Sequence, residues 1–488
     1  MRRRRDVLAV VPVLLIAWLL LTINLGGAWV GHQDANGAWI STAALNFQHH
    51  GFLTLSGLPA LDTTPSLAAP PRYYTSHPPI AVWLPTALIS VIGYDETVMR
   101  FTFAALTLIG AAALYRLVRG LLGERWAWWT LAFYIAMPMT AYFGRMPDHE
   151  APALLWGFLF ALVLTAYLRR GQRHHLMLLA LLAVIQAWTA WGGLILVWAL
   201  CAAGMYANRA RVRELVGVAV IGGAAAVAVL GYYQLVWSGA IDDLLWRLVW
   251  RTSAQSGGIG SETFSAAEYV VVALVRVLTL GTPSIAVLAL IGTWRAPIRS
   301  TLPPGTPGEI MRLARALPLA FIAGGAAFML IFRNAAYIHD YYLIYVTPGI
   351  ALLAAGAMQI RPRRSVRWIR PLVVALTLMI PFATVHYTRQ LHSGSADTQP
   401  LRVADALARY TQPQDTIYAN TPNLGLAIEL YARRQVTWAS PPDAALAVVD
   451  AQSGDRTFYL GCRLMDERLE ALQTQIVVTE DCKLFVIR

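Results

Sequence analysis

The chain has 488 residues, of which 57% are hydrophobic and only 14% are charged, and its mean hydropathy is +0.51. Soluble globular chains carry about 25% charged residues, so the composition excludes an ordinary soluble enzyme. The net charge of +12 could suit a nucleic-acid partner, but the Arg residues cluster in short breaks between apolar runs, as the positive-inside pattern requires. We therefore predict an α-helical polytopic membrane protein with no nucleic-acid partner.

The apolar runs predict about eleven transmembrane helices between residues 1 and 390. The run from Val7 to Val30 is too long for a signal peptide, so we expect an uncleaved first span behind a cytoplasmic Arg tail. Ile80–Ile92 is short and predicts a helix at the membrane surface. Leu176–Tyr206 has basic residues at both ends and therefore predicts two shorter helices, turning near Trp188 to Gly193.

The polar intervals between these spans predict the outer loops. With the N-terminus inside, residues 31–79, 143–150, 238–268 and 333–342 fall on the outer face. Every dense Arg cluster then lies inside, and every break that carries Asp, Glu and His lies outside. We expect a surface helix in the middle of the first loop, between His49 and Pro71.

Beyond residue 390 the pattern becomes charged and mixed. Short alternating helix and strand segments over residues 391–488 predict a small extracytoplasmic α/β domain. The predicted helices are Val403–Tyr410, Leu424–Ala432 and Met465–Gln473, and the predicted strands are Thr416–Ala419, Thr457–Leu460, Ile476–Val478 and Leu484–Ile487. Cys462 follows one predicted strand and Cys482 precedes another. A disulfide between them is plausible outside the cytoplasm, and two free thiols are the alternative.

Two carboxylates in separate outer loops are the candidate catalytic residues. Asp34 either caps the helix that starts at Ala35 or acts as a general base at the membrane surface. Asp148 either supports the first turn of the next helix, with Arg145 neutralising it, or shares the site with Asp34. Taken alone, Asp34 and Asp148 are each more often structural than catalytic. Together they favour a catalytic site, because two separate loops place carboxylates at the same membrane face.

Basic and aromatic side chains on that face could bind a phosphate, since Arg suits bidentate phosphate recognition. The alternative is an interfacial aromatic belt. The candidate substrate-binding residues are Arg72, Tyr74, His77, Arg145, Glu150, Arg247, Arg251, Arg333, His339 and Tyr342. We predict no cofactor firmly. His32, His49 and His50 could join Asp34 around a divalent metal, but their spacing is not diagnostic.

The order of these motifs resembles the GT-C membrane glycosyltransferases, specifically the protein-mannosyltransferase-like family, which includes aminoarabinose transferases acting on lipid A. An early Asp after the first span is followed by His-Pro-Pro-x-x-x-Trp, Glu-x-x-x-Arg, Arg-x-x-Asp and His-x-Tyr-Tyr before a late Pro. These are Asp34, His77 to Trp83, Glu96 and Arg100, Arg145 and Asp148, and His339 to Tyr342 with Pro348. The resemblance covers roughly residues 1 to 360. Ala35 stands where the family often has a second acid, and His77 where some members have Lys.

The resemblance implies sugar transfer from a polyprenyl-phosphate donor on the outer face, with inversion. Asp34 would be the base, Asp148 the second acid, and His77 with nearby Arg would hold the donor phosphate. The acceptor would be a hydroxyl of a lipid, a glycan or a protein, and the location a plasma (bacterial inner) membrane. The alternative is a transporter or flippase of lipid-linked saccharides, but charged residues within the spans are few, which favours the enzyme. A polymerase or ligase of surface polysaccharide would share the donor type.

Overall fold

The chain folds into a helical bundle followed by a small sheet. A computed structural model describes residues 2–253, 263–295, 306–360, 369–393, 397–420, 425–438, 442, 446, 456–462, 467–470 and 475–487. The part of the predicted outer loop 238–268 from residue 254 to residue 262 lies outside the described residues.

Ten helices make up the first half of the bundle. They are α1 (Arg2–Leu21), α2 (Ala35–His50), α3 (Ile80–Ile92), α4 (Glu96–Leu122), α5 (Glu124–Ala136), α6 (Pro138–Phe143), α7 (Glu150–Arg170), α8 (Arg173–Ala187), α9 (Trp191–Ala207) and α10 (Val212–Val236). The two short helices predicted within 176–206 are present as α8 and α9, with their turn at residues 188–190. The surface helix expected between residues 49 and 71 is absent: that part is turns and irregular chain, and the helix precedes it as α2.

Seven helices complete the bundle. They are α11 (Ala240–Thr252), α12 (Ala266–Leu280), α13 (Pro283–Arg295), α14 (Gly308–Ile331), α15 (Arg333–Ile338), α16 (Thr347–Ala357) and α17 (Ile369–Ser393). Three predicted outer loops therefore contain helices, namely α2, α11 and α15. The predicted eighth span is two helices, α12 and α13, which meet at an angle of 99°. Thr282, at the junction, has a positive φ of 62°.

Five helices in the described ranges are long and apolar enough to cross a membrane, or six if α12 and α13 form one broken span. Shorter apolar helices, such as α3, α8, α9 and α16, lie between them. The chain is thus a multi-pass membrane protein, but the expected count of eleven spans is not confirmed.

Local sequence explains where the long helices begin and end. The side chain of Asp95 accepts a hydrogen bond from the backbone N–H of Thr97 (2.7 Å) and caps α4. Ser265 and Glu268 form a capping box at the start of α12. Gly171 ends α7 in the left-handed conformation (φ 64°), which an amino acid without Cβ adopts readily.

The C-terminal region, residues 397–487, contains a five-stranded mixed sheet. The strands are β1 (Thr416–Ala419), β2 (Thr437–Trp438), β3 (Thr457–Cys462), β4 (Gln475–Thr479) and β5 (Cys482–Val486), in the order β2-β1-β3-β5-β4. The helices of this region are α18 (Gln399–Tyr410), α19 (Gly425–Ala432) and the short α20 (Glu467–Glu470). The β1 strand pairs in parallel with β2 and β3, whereas β5 runs antiparallel to β3 and β4.

Four of the five strands and both longer helices coincide with the sequence prediction for this region. Cys462 and Cys482 are opposite each other on β3 and β5 and form a disulfide, the first of the two alternatives. The helix α17 runs to Ser393, so the helical bundle extends past the predicted boundary at residue 390.

The C-terminal region packs on the outer-loop part of the bundle. Ala427 of α19 is buried in a cluster with Trp29, Trp39 and Phe103. Arg72 pairs with the buried Glu429 at 3.3 Å, and Thr63 donates to the backbone carbonyl of Arg434. The sheet is thereby attached next to the start of α2, where Asp34 lies.

Candidate active site

Asp34 is held in an ion pair just before α2. Its Oδ2 accepts hydrogen bonds from the backbone N–H of Gly31 (2.9 Å) and from the guanidinium of Arg100 (3.1 Å). The side chains of Asp34 and Arg100 are 7% and 2% exposed. Asp34 occupies the N-cap position of α2 but makes no side-chain capping bond, so capping does not account for the carboxylate. Both described bonds end on Oδ2, which leaves Oδ1 as the oxygen that can receive a proton.

Arg100 anchors the whole connection between α1 and α2. Its guanidinium donates to the carbonyl oxygens of Leu25, Gly27 and Ala28 and lies 3.8 Å from the centroid of the Trp29 ring. Arg100 belongs to the Glu-x-x-x-Arg motif identified in the sequence, but the sequence predicted no role for this residue. The signal was available, because an Arg near the start of an otherwise apolar span usually has a buried partner.

Asp148 lies on the loop before α7 and meets α2 from the other side. Its Oδ2 accepts from the side chain of Asn36 (2.7 Å), and its Oδ1 accepts from the backbone N–H and faces Nδ1 of His149 (2.8 Å each). Arg145 does not neutralise it. Since Asn36 is two residues from Asp34, the first turn of α2 brings the two predicted carboxylates into one site.

Four nearly parallel aromatic rings, which we call the ring stack, extend this site as a closed group: Tyr74, Trp39, His149 and His77. Their successive centroids are 4.1, 5.4 and 4.2 Å apart, with interplanar angles of 24°, 17° and 23°. Tyr74 and His77 also stack on each other, with centroids 6.2 Å apart. Tyr74 and His77 were predicted as site residues, whereas Trp39 and His149 were missed. Trp39 is one turn into α2, and His149 is adjacent to Asp148, so their proximity follows from the fold rather than from any motif.

Arg251 of α11 contacts the ring stack at His77. Its guanidinium lies 2.8 Å from Nε2 of His77, which is the acceptor nitrogen in this contact because guanidinium is a donor only. The remaining proton of a neutral His77 is therefore on Nδ1. Burial, followed by the charges of His149 and Arg251, lowers the pKa of His77 well below its usual range. His77 is thus a neutral hydrogen-bond donor at physiological pH.

Several polar atoms in this part of the site are buried without a described hydrogen-bond partner. They are Nδ1 of His77, Nε2 of His149, Oε2 of Glu150 and Nε of Arg251. Buried polar groups are nearly always hydrogen-bonded, and exceptions require an explanation. A polar ligand bound beside His77 and Arg251 would explain why these buried atoms have no described partner. Because His77 and Arg251 are both hydrogen-bond donors here, this ligand would be an anion.

Two cavities adjoin these groups. A cavity of about 190 Å³, lined by Trp191, Leu230, Leu244, Leu248 and Phe332, has Arg247 and Arg251 in its wall. A larger cavity of about 850 Å³ is lined by the residues flanking Asp34, by α12 and by the end of α17. The first is apolar with a cationic edge, and the second is lined by Gln33 and Ala35, the sequence neighbours of Asp34.

An ion pair and a hydrogen bond lie in the wall of the larger cavity. His32 contacts Asp340 (Nε2 to Oδ2, 2.8 Å), and His339 contacts Gln33 (Nδ1 to Oε1, 3.1 Å). Burial opposes protonation of His32, but the hydrogen bond and charge of Asp340 outweigh it and raise its pKa. Burial and the charge of Arg251 lower the pKa of His339 to about 4.

The other predicted residues are distributed unevenly. Tyr342 is buried beside His339, with ring centroids 5.8 Å apart, and Arg247 pairs with Asp243 at 2.8 Å. Arg145 lies on the Asp34 side, where it donates to the carbonyls of Ile23 and Asn24 and contacts His392; burial and the charge of Arg100 lower its pKa to about 10.

Arg72 and Arg333 are not brought into this cluster. Arg72 faces Glu429 of the C-terminal region, and Arg333 donates to the backbone carbonyl of Thr252. Their predicted contacts with a substrate therefore have no geometric support.

The structure also separates the residues considered for a metal. His49 and His50 are at the end of α2, about 24 Å of helix away from Asp34 at its start. Within the described ranges, no three His, Cys, Asp or Glu side chains come together as metal ligands would.

Comparison with known proteins agrees with this arrangement. The model of the dolichyl-phosphate-mannose-protein mannosyltransferase family matches residues 76–237, about one third of the chain. No curated protein matches the sequence significantly.

Two solved structures share the fold. ArnT from Cupriavidus metallidurans bound to undecaprenyl phosphate is 14% identical, with a TM-score of 0.64 and 98% of each chain covered. The oligosaccharyltransferase AglB from Archaeoglobus fulgidus, in complex with an inhibitory peptide and a dolichol-phosphate, is also 14% identical, with a TM-score of 0.56, covering 93% of this chain and 69% of AglB. The chain therefore shares the fold of these two proteins, and its resemblance to the protein-mannosyltransferase-like family, predicted from the motifs, is confirmed over residues 76–237.

Proposed function

We propose that this protein transfers a sugar from a polyprenyl-phosphate donor to an acceptor hydroxyl on the outer face of the membrane, with inversion and with Asp34 as general base. One observation carries the proposal: two buried carboxylates from separate loops approach each other at Asn36, beside buried donors that have no hydrogen-bond partner among the described residues. The solved relatives with bound undecaprenyl phosphate and dolichol-phosphate support the donor class.

The phosphate of the donor would bind beside the ring stack, next to His77 and Arg251. Nδ1–H of His77 and Nε–H of Arg251 are buried donors, and Arg247 lies on the same wall of the small cavity. Charge-assisted bonds from Arg to phosphate are strong and bidentate. The apolar side of this cavity would take the first part of the prenyl chain. Since phosphate is a good leaving group, cations that stabilise its charge matter more than a general acid.

The acceptor fits the other side of Asp34. Its hydroxyl would approach through the larger cavity, give its proton to Oδ1 of Asp34, and attack the anomeric carbon opposite the departing phosphate. Arg100 and the amide of Gly31 hold Oδ2, so the carboxylate keeps one orientation. Asp148 would orient the sugar or acceptor, because Asn36 fixes one of its oxygens and His149 the other.

The test is sugar transfer by purified protein in nanodiscs, with undecaprenyl-phosphate sugars as donors and lipid, glycan and peptide acceptors in parallel. Asp34→Asn should reduce turnover by about 100- to 10,000-fold, since general-base catalysis contributes about 10²–10⁴. Asp148→Asn should reduce it by about 10- to 100-fold, because an orienting group is lost. Asp405→Asn, on an exposed part of α18, is the control and should be unchanged. Near-normal turnover by folded Asp34→Asn would refute the base assignment.

The same preparation separates the enzyme from the alternative, a transporter or flippase of lipid-linked saccharides. Transfer in detergent, where no two compartments exist, requires an enzyme. Donor movement between leaflets of a vesicle without any product would favour the flippase instead. The described helices favour the enzyme, because the ionisable cluster lies at helix ends and in loops rather than along a path through the spans.

A further inference from the structure

Tyr431, on α19 of the C-terminal region, contacts the segment that leads to Asp34. The backbone N–H of Trp29 donates to the Tyr431 hydroxyl (2.9 Å), and that hydroxyl donates to Oε1 of Glu96 (2.9 Å). Glu96 is the first residue of α4, one turn before Arg100. A single hydroxyl thus joins the C-terminal region, the α1–α2 connection and α4.

The Trp29 ring is fixed from every side. Its Nε1–H donates to the Tyr94 hydroxyl (3.2 Å), which also reaches Glu96. One face of the ring carries the guanidinium of Arg100 at 3.8 Å, and the ring is fully buried. A Cβ on Gly37 would lie 2.1 Å from the ring, so only glycine allows α2 to pack this closely.

These contacts form a path to the base. Tyr431 and Tyr94 fix Trp29, the Trp29 ring supports Arg100, and Arg100 holds Oδ2 of Asp34. We propose that Tyr431 is a positioning residue for Asp34, so that the carboxylate is aimed correctly only while the C-terminal region is docked on α2. This inference rests on the proposed function and gives the C-terminal region a role in it.

The mechanism predicts where the effect will be seen. Tyr431 touches neither His77 nor Arg251 in any described contact, so donor binding should not depend on it. The orientation of Asp34 should depend on it, because a small misplacement of a catalytic group slows the reaction without weakening substrate binding. A loss in kcat per folded molecule at constant donor KM is therefore expected, with the folded fraction of each variant measured by size-exclusion chromatography, because partial unfolding would also lower the apparent kcat.

The first experiment compares Tyr431→Phe with Tyr410→Phe, an exposed tyrosine on α18 of the same region. Tyr431→Phe should lower kcat about 5- to 20-fold with donor KM unchanged, and Tyr410→Phe should change neither. Glu96→Gln, which keeps an acceptor oxygen, should retain more activity than Glu96→Leu. Equal kcat in Tyr431→Phe and wild type, or a fall matched by Tyr410→Phe, would overturn the proposal.

The second experiment does not need sugar transfer. Hydrogen–deuterium exchange of the peptide spanning residues 25–36 reports the Gly31 amide that bonds to Asp34. Exchange should be about 5- to 10-fold faster in Tyr431→Phe and unchanged in Tyr410→Phe; unchanged exchange in Tyr431→Phe would refute the positioning role. If wild type transfers no sugar but this difference is present, the proposed function fails while the coupling between Tyr431 and the Asp34 segment stands.

Discussion

Arg100 and Asp34 form a buried ion pair, 3.1 Å apart, between the first turn of one long helix and the segment that precedes another. Each charge is removed from water, and each is compensated mainly by the other and by backbone groups. Removing one partner of such a pair leaves an uncompensated buried charge. The pair therefore has two roles. It orients the carboxylate of the proposed base, and it stabilises the folded α1–α2 connection.

We expect Arg100→Met to destabilise the protein by about 3–5 kcal/mol, the cost of breaking a buried pair. The double variant Arg100→Met/Asp34→Asn should recover part of this loss, because it no longer contains a buried unpaired carboxylate. Thermal unfolding in detergent measures both variants. If the double variant is no more stable than Arg100→Met, the pair does not account for the loss.

Arg251→Gln should weaken the binding of polyprenyl phosphate by at least about tenfold, since it removes a charged donor beside His77. Arg333→Gln is the matched control, because Arg333 is outside the cluster and contacts a backbone carbonyl. Calorimetry or competition binding with undecaprenyl phosphate measures both. Equal affinities for the two variants would place the phosphate elsewhere.

His339 makes the stability of the protein sensitive to acid. Burial and the charges of Arg251 and Arg276 lower its pKa to about 4 from 6.5, against the opposing effects of Asp148 and Asp340. Between these values the unfolded chain binds more protons than the folded chain, so stability falls as the pH falls from about 6.5 to 4. His339→Gln should remove up to about 3 kcal/mol of this acid-induced loss.

His32 should behave in the opposite way. Its pKa is raised by Asp340, so its contribution is present below pH 6.5 and is lost as the pH rises through the raised value. His32→Gln should therefore lower stability more at acidic than at alkaline pH. Unfolding midpoints at several pH values compare the two variants. The same pH dependence in wild type and His339→Gln would exclude His339 as its source.

The disulfide gives a test of stability and of sidedness. Cys462 and Cys482 are 20 residues apart in sequence, and closing a loop of this length stabilises a domain by about 3 kcal/mol. Cys462→Ser should lower the unfolding free energy of the C-terminal region by about that amount. If this region is extracytoplasmic, the bond should form in cells, and a tag after the last strand should be accessible from outside. Free thiols in cells would contradict that location.

Much of the fold could be predicted because the pattern of apolar runs and basic residues determines where the helices begin and end. The basic residues at both ends of 176–206 revealed α8 and α9, and Thr416–Ala419 was predicted with its observed bounds. The helix α11 was missed, since Asp242, Asp243, Arg247 and Arg251 make its segment look like a polar loop. The 99° bend between α12 and α13 was also missed, because an apolar run does not report its direction.

The candidate site was predictable only in part. Asp34, Asp148 and His77 were identified from their loops, and the fold brings them within one connected cluster. The partners Arg100, Asn36 and His149 depend on contacts between residues 66 to 112 positions apart or on a neighbour's ring stacking, which one sequence does not reveal. Arg72 was assigned to the site from its loop alone, but its partner Glu429 lies 357 residues away.

Because α11 is a helix, the positions of its two cations, Arg247 and Arg251, depend on each other. Arg247 and Arg251 are four residues apart, so they share one face of the helix and reach the same cavity wall. A single inserted residue before Arg247 would rotate both by about 100° and remove them from the cavity together. During divergence of such proteins the two positions can therefore move only as a unit, and the length of the segment is as constrained as its charge.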